Sequence, residues 1–217
     1  LVIRDARGRE RPWQFVHTAP SGVFVDSIWE VPRMAPTTQF RVLVDVDEIP
    51  PVGYTALSIT PSRSLDRRLG TLATGPATLD NESLTLRVNP DGTADLHHKK
   101  TRRTFRGLNA FRDQGEIGTA WFHQAPPHDE IFLSAGAPAQ IALIEDGPLR
   151  ATIRATVTLT LPREGDGEER RSAERVPLVI ETFYTVRRED PVVSIRTALN
   201  NTAKDHWLRV IFPTGLE

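Results

Sequence analysis

Trp121-Phe122-His123 and His128-Asp129 bring two aromatic rings, two imidazoles and a carboxylate into one short stretch. Such a grouping can bind a sugar. An aromatic ring covers the apolar C–H face of a pyranose, while His and Asp serve its hydroxyl rim. The same aromatics could instead pin a long loop to a core. A metal would need third and fourth ligands, and none is adjacent. His97-His98-Lys99-Lys100-Thr101-Arg102-Arg103 could meet phosphates or acidic glycans. In a chain of net charge −1 it reads better as a solvated hairpin tip. Asp45-Val46-Asp47-Glu48 places two carboxylates on one strand face. A glycosidase needs two opposed across roughly 5–10 Å, so this is a wet strand face. No Ser-His-Asp grouping, phosphate loop or dinucleotide motif is present. No catalytic residue and no metal ligand is therefore assigned.

The elements that must carry these residues are strands. Residues 149–161, LRATIRATVTLTL, alternate apolar and Arg/Thr positions without a break, the period of a pleated strand with one buried and one wet face. Residues 39–47, 84–88, 176–186 and 192–199 also read as strands, and 207–212 as another. Residues 2–4 and 13–16 read as a hairpin turning at Gly8, and 23–25 and 28–31 as separate short strands. Asn89-Pro90-Asp91-Gly92 is a strong turn. Residues 61–76 lack either period and read as a linker; 108–139 read as one long, aromatic-bearing loop. No helical period of ten residues stands out.

Composition is that of an ordinary globular chain: 217 residues, 39% hydrophobic and 25% charged, enough for one large domain or two small ones. The near-neutral charge offers no field for nucleic acid or an anionic membrane, and neither is expected as a partner. No apolar run approaches the ~20 residues of a membrane-spanning helix. The chain has no cysteine, no secretory leader opens it, and a cytoplasmic location is expected. Asn81-Glu82-Ser83 and Asn200-Asn201-Thr202 fit the glycosylation acceptor pattern, which is common by chance. A strand stands at each end and there is no initiator Met, so a piece of a longer protein is expected.

Several runs carry a family resemblance. They are Leu79-Asp80-Asn81-Glu82, Asn89-Pro90-Asp91-Gly92-Thr93, 101–108 (TRRTFRGL) and 145–151 (EDGPLRA). The most specific is 199–216, LNNTAKDHWLRVIFPTGL. Together they resemble the C-terminal β-domain of family 38 glycoside hydrolases, the α-mannosidases and mannosylglycerate hydrolases. Upstream, 49–54 (IPPVGY) resembles the strand that ends the small β-module before that domain.

The resemblance implies an all-β fold: an antiparallel β-sandwich, part of a mutarotase-like supersandwich, preceded by a small β-module. The domains would be 1–72, the module, and 73–217, the first part of the large domain. It implies a parent enzyme with an upstream catalytic domain that holds zinc, carries an Asp nucleophile and retains configuration. None of those residues is assigned here, and no cofactor is expected in 1–217 itself. The family's sugar-facing Tyr matches Trp121, which keeps a ring without the phenol hydroxyl. Arg209 matches an Arg that approaches the site in some members. With His123, these form the expected substrate-binding set. The function so implied is a non-catalytic β-portion of an α-mannosidase that scaffolds the catalytic domain and helps wall the mannoside site. The alternatives are a free-standing carbohydrate-binding β-sandwich or a structural module of another enzyme. A homo-oligomer is left open.

Overall fold

The computed structural model describes residues 1–46, 49–62, 70–119 and 121–215. Residues 1–71 with 147–149 form one compact unit, and the remaining described residues form the other.

The first unit contains β1 (Val2–Asp5), β2 (Trp13–Ser27), β3 (Glu30–Val44) and β4 (Leu57–Thr60). The expected hairpin of 2–4 with 13–16 does not form. Gly8 does turn the chain, at φ +77°, and the Asp5 carboxylate accepts the N–H of Arg7 (2.9 Å) and Arg9 (3.0 Å). The return strand ends after the bridge Arg4↔Glu10 and the bond from Arg11 N–H to Ile3 O (2.8 Å). Pro12 has no N–H to continue the ladder. Trp13 pairs with Val44 instead, and β1 takes β4 as partner, from Val2↔Thr60 to Asp5↔Leu57. The short strands expected at 23–25 and 28–31 are parts of one hairpin of two 15-residue strands, β2 and β3. Ile28 and Trp29 stand exposed at its tip. Of the expected carboxylate face, Asp45 lies beside Arg11, whose Nε donates to its carbonyl (2.9 Å). Asp47 and Glu48 lie outside the described residues.

The second unit contains β5 (Ala73–Gly75), β6 (Thr78–Asp80), β7 (Leu84–Val88), β8 (Ala94–His98), β9 (Arg103–Leu108), β10 (Ala110–Gly115) and β11 (Phe132–Leu133). It continues with β12 (Ala139–Glu145), β13 (Arg150–Pro162), β14 (Gly165–Asp166), β15 (Arg170–Arg171), β16 (Arg175–Arg187), β17 (Ser194–Leu199) and β18 (His206–Ile211). The sheets run β5-β6-β7-β8-β9, β12-β13-β16-β17 and β11-β10-β18, with a small ribbon β14-β15. Their ladders are antiparallel, and no helix occurs among the described residues. The all-β antiparallel sandwich expected from the sequence is the fold. Two local expectations change. Residues 73–75 of the expected linker form β5, and the expected loop 108–139 contains β10 and β11; residues 63–69 lie outside the described part.

The alternation in β13 explains the packing. Ala151, Ile153 and Ala155 pack with Leu79, Leu84, Leu86 and Val88 of the five-stranded sheet. Further along, Val157, Leu159 and Leu161 pack with Phe111 of β10 and with Leu178 and Ile180 of β16. Each large aliphatic side chain so buried contributes about 1.5–3 kcal/mol relative to exposure. The opposite face carries Arg150 paired to Glu145 (2.7 Å) and Arg154 to Glu181 (3.5 Å). Thr152 departs from the wet pattern: it is buried, bonded to Glu145 (3.3 Å) and to the Thr185 hydroxyl across the sheet (2.9 Å).

The Asn89–Thr93 turn is locked into this core. Asp91 Oδ1 accepts the Thr93 N–H (3.0 Å) and hydroxyl (2.7 Å), and Oδ2 the Gly136 N–H (3.0 Å). Gly92 is required twice over: φ is +79°, and a Cβ would lie 2.8 Å from Val157 Cγ2. Its carbonyl accepts the hydroxyl of the fully buried Tyr184 (2.7 Å), which in turn accepts from Asn109 Nδ2 (2.9 Å). Asn81, in one glycosylation-like triplet, is buried with its Nδ2 donating to the carbonyls of Arg187 (2.7 Å) and Asp190 (2.8 Å). Its amide is a structural clamp.

Candidate functional site

β10 and β18 lie side by side with Arg112 opposite Arg209, Asp113 opposite Leu208, and Gln114 opposite Trp207. Since side chains alternate along a strand, Arg112, Gln114, Trp207 and Arg209 share one face, while Asp113 and His206 share the other.

On the second face Asp113 is fully buried. It meets Arg171 Nη1 at 2.6 Å and the His206 ring through Nδ1, and His206 Nε2 faces Asn201 Oδ1 at 3.0 Å. This ion cluster ties β10, β15 and β18 together.

The first face carries the candidate site. Gln114 Oε1 accepts from Arg209 Nη2, and Gln114 Nε2 donates to His123 Nε2. With Nε2 an acceptor, the His123 proton sits on Nδ1, which donates to Glu116 Oε2. The imidazole lies 4.1 Å, centre to centre, from the Trp207 ring at 42°, and the Arg209 guanidinium lies 4.1 Å from the same ring centre. Trp207 thus carries a histidine and an arginine, with Gln114 bridging them.

Glu116 shapes the loop that brings His123 in. Its Oε1 accepts the N–H of Gly118 (2.6 Å) and Gln124 (3.0 Å), while the main chain closes from Ile117 N–H to Gln124 O (2.9 Å). The His123 hydrogen bond, foremost, holds the Glu116 pKa below its ordinary value. Partial desolvation opposes that, and the Gln124 and Gly118 N–H groups reinforce it. Gly118 leaves no room for a side chain, since a Cβ would lie 2.3 Å from Phe122 O. The loop tip closes from Thr119 N–H to Phe122 O (3.1 Å).

Trp121 stands at that tip, 92% exposed, its N–H donating to Thr119 Oγ1 (3.3 Å). It is no core anchor. The structure therefore assembles His123 and Arg209 into one network and leaves Trp121 on the same loop without a ring contact to either. His128 and Asp129 serve the backbone: His128 N–H donates to Glu169 O (2.9 Å), and Asp129 accepts the Gly115 N–H (2.9 and 3.1 Å). The basic run forms the tip between β8 and β9, where His97 meets Thr104, His98 meets Thr101, and Lys99 pairs with Asp80 (2.8 Å). Gln114, Glu116 and Trp207 were not singled out by sequence reasoning. Gln114 and Trp207 matter through a pairing of strands far apart in the chain. Glu116 shows only a local cue, a carboxylate two residues before a glycine.

No group of three or more His, Cys, Asp or Glu that could hold a metal occurs among the described residues. The donor set does not fit the zinc that the family implies, and no step is derived through it.

Residues 79–217 match the model of the glycosyl hydrolases family 38 C-terminal domain. A putative mannosylglycerate hydrolase from Halalkalibacterium halodurans is 28% identical over 151 residues, 63% of this chain and 17% of that protein. The crystal structure of an alpha-mannosidase from Enterococcus faecalis V583 superposes with a TM-score of 0.81 at 24% identity, covering 99% of this chain and 26% of that one. A family 38 glycosyl hydrolase from Enterococcus faecalis does so at 0.80 and 26%, covering 99% and 27%. These likenesses define the class, a β-region found within much longer hydrolases. The chain belongs to glycoside hydrolase family 38, whose C-terminal domain its residues 79–217 match. It spans about a quarter of the solved relatives and 17% of the curated one.

Proposed function

We propose that this chain is the non-catalytic β-portion of a cytoplasmic α-mannosidase. It scaffolds an upstream zinc-dependent catalytic domain, and Trp121, His123 and Arg209 help wall its mannoside site. The domains are read as a small β-module, 1–72, and the first part of the family's large β-domain, 73–217. The observation that carries the proposal is the joining of His123 and Arg209 through Gln114 over Trp207, from segments 95 residues apart at the Gln114–Arg209 bond. Such a network offers fixed polar groups to a sugar rim, and the nearby exposed indole of Trp121 is free to cover a pyranose C–H face. A chain without cysteine suits the reducing cytoplasm.

The test is Trp121→Ala in the full-length enzyme. A ring this exposed gives up little packing when truncated, so Tm should hold within about a degree or two. Meanwhile kcat/KM for an α-mannoside should fall about ten-fold or more, with zinc content unchanged. Unaltered kinetics would remove Trp121 from the site. Mannose binding by residues 1–217 alone would favour the free-standing carbohydrate-binding module.

A further inference from the structure

We propose that the β2–β3 hairpin is an intersubunit arm, and that its apolar face packs against the same face of a second copy of this chain. The inference goes beyond the mannosidase reading and stands without it.

Thr18 to Phe24 pair with Met34 to Phe40 in unbroken register, and among the described residues the two strands pair only with each other. A lone two-stranded ribbon is marginal in water unless it packs on something more. Alternation sorts its side chains into two faces. One face carries Arg33, Gln39 and Arg41. The other has Phe40 toward the base, Pro20 and Gly22 in the middle, and Phe24 beside Met34 toward the tip. No charged residue falls on this second face within 18–24 and 34–40. Phe24, Met34 and Phe40 are each more than half exposed, Phe15 at the base nearly half, and Ile28 and Trp29 at the tip almost wholly. Together these side chains present on the order of 800 Å² of apolar surface, one partner's share of a standard interface and more than the largest patch on a typical monomer.

The face, rather than the edge, is what the arm offers. Pro20 on β2 and Pro32 and Pro36 on β3 have no N–H, so neither edge supplies an unbroken row of donors for an added strand. The apolar face also reads alike in both directions. A bulky row at Thr18/Phe40 is followed by two compact rows, Pro20/Thr38 and Gly22/Pro36, and then by a bulky row at Phe24/Met34. Gly22 is bare because Met34 lies over it, its Cε 2.8 Å from where a Cβ would be. Turned end for end about a two-fold axis through the compact rows, one arm lays Phe24 and Met34 on the partner's Phe40. Each tip then reaches toward the other copy's base, where Phe15 is exposed. A two-fold contact makes every such pair twice. That reversibility selects a second copy of the chain over an unrelated surface.

The experiment uses the full-length protein. Sedimentation at micromolar concentration should show an even-numbered oligomer. Phe24→Glu, which sets a charge against the partner's Phe40, should raise the dissociation constant about a hundred-fold or more. Gln39→Glu, on the opposite face, should leave it unchanged. Circular dichroism of each variant reports folding, and Phe40→Ser tests the arm should Phe24→Glu not fold. The register has its own test. Positions 24 and 40 lie three rows, about 20 Å, apart on one arm, too far for a disulfide within a chain. Oxidation of the double variant Phe24→Cys, Phe40→Cys should therefore link two copies, and neither single variant should do so. A monomeric wild type overturns the inference; if its arm amides are also protected from exchange, the arm packs on another part of its own chain instead. An oligomer that survives both Phe24→Glu and Phe40→Ser, or that Gln39→Glu weakens as much, overturns it too.

Discussion

Tyr184 illustrates how one side chain couples the core to pH. Burial, above all, pushes its pKa up to about 12; the Asn109 hydrogen bond works against that, and the charge of Asp91 adds to it. An unfolded Tyr ionises near ~10. Below that pH both states keep the proton and the buried phenol contributes fully. Between about 10 and about 12 only the unfolded chain ionises, so stability drains away as pH rises. Wild-type protein should lose on the order of 2 kcal/mol across that window. Tyr184→Phe should be less stable at neutral pH but free of this loss, as read by urea unfolding. The chain has two tyrosines, so phenolate absorbance in a Tyr54→Phe background follows Tyr184 alone. The site residues were unevenly legible at this level. Trp121 and Arg209 came from the resemblance and His123 from its neighbours in the chain. Gln114, flanked by Asp113 and Gly115, has nothing in its surroundings to mark it, because its partners lie across a sheet.

Among the elements, the loop from Glu116 to Gln124 gives the clearest test. Glu116 holds both ends of the turn, and its depressed pKa means that this hold is fully present above the ordinary carboxylate range and is lost only as pH falls below that range, through the lowered folded-state value. Glu116→Gln should loosen the loop at every pH, seen as faster amide exchange at Gly118 and Gln124, while the melting temperature barely moves. Slow exchange at both amides in the variant would mean that the backbone bonds suffice. The strands were legible in proportion to their alternation. β13 shows it almost perfectly, and β16 less so, with Val179 and Phe183 on its outer face and Thr182 on its core face. β10 does not: Asp113 is buried on one face while Gln114 is buried on the other, so polar residues fill the positions that would signal a strand. The pairing of β1 with β4 was hidden for another reason. Gly8 advertises a local hairpin, and only Pro12 hints that the hairpin will fail.

For the whole molecule, the proposal separates support from chemistry. Residues 1–217 alone should not hydrolyse an aryl α-mannoside, with or without added zinc, when purified free of host enzyme. Turnover by such a preparation would reveal a catalytic group that neither the sequence nor the described residues bring to light. The architecture was legible as a class, antiparallel sheets in layers. It was not legible that one long sheet would be shared by two shorter ones, since that depends on where each apolar stripe ends. The sharing limits how such domains can be recombined. β13 and β16 line both hydrophobic clusters, the inner residues of β13 changing partners between Ala155 and Val157. The second unit therefore has no internal seam at which relatives could exchange parts. A chimera that imports the five-stranded sheet, 73–108, from another family member inherits its fit to Ala151, Ile153, Ala155, Tyr184 and Val186. Lineages can then vary this domain freely at loop tips such as Trp121, but through the core only by changes matched on both sides of β13.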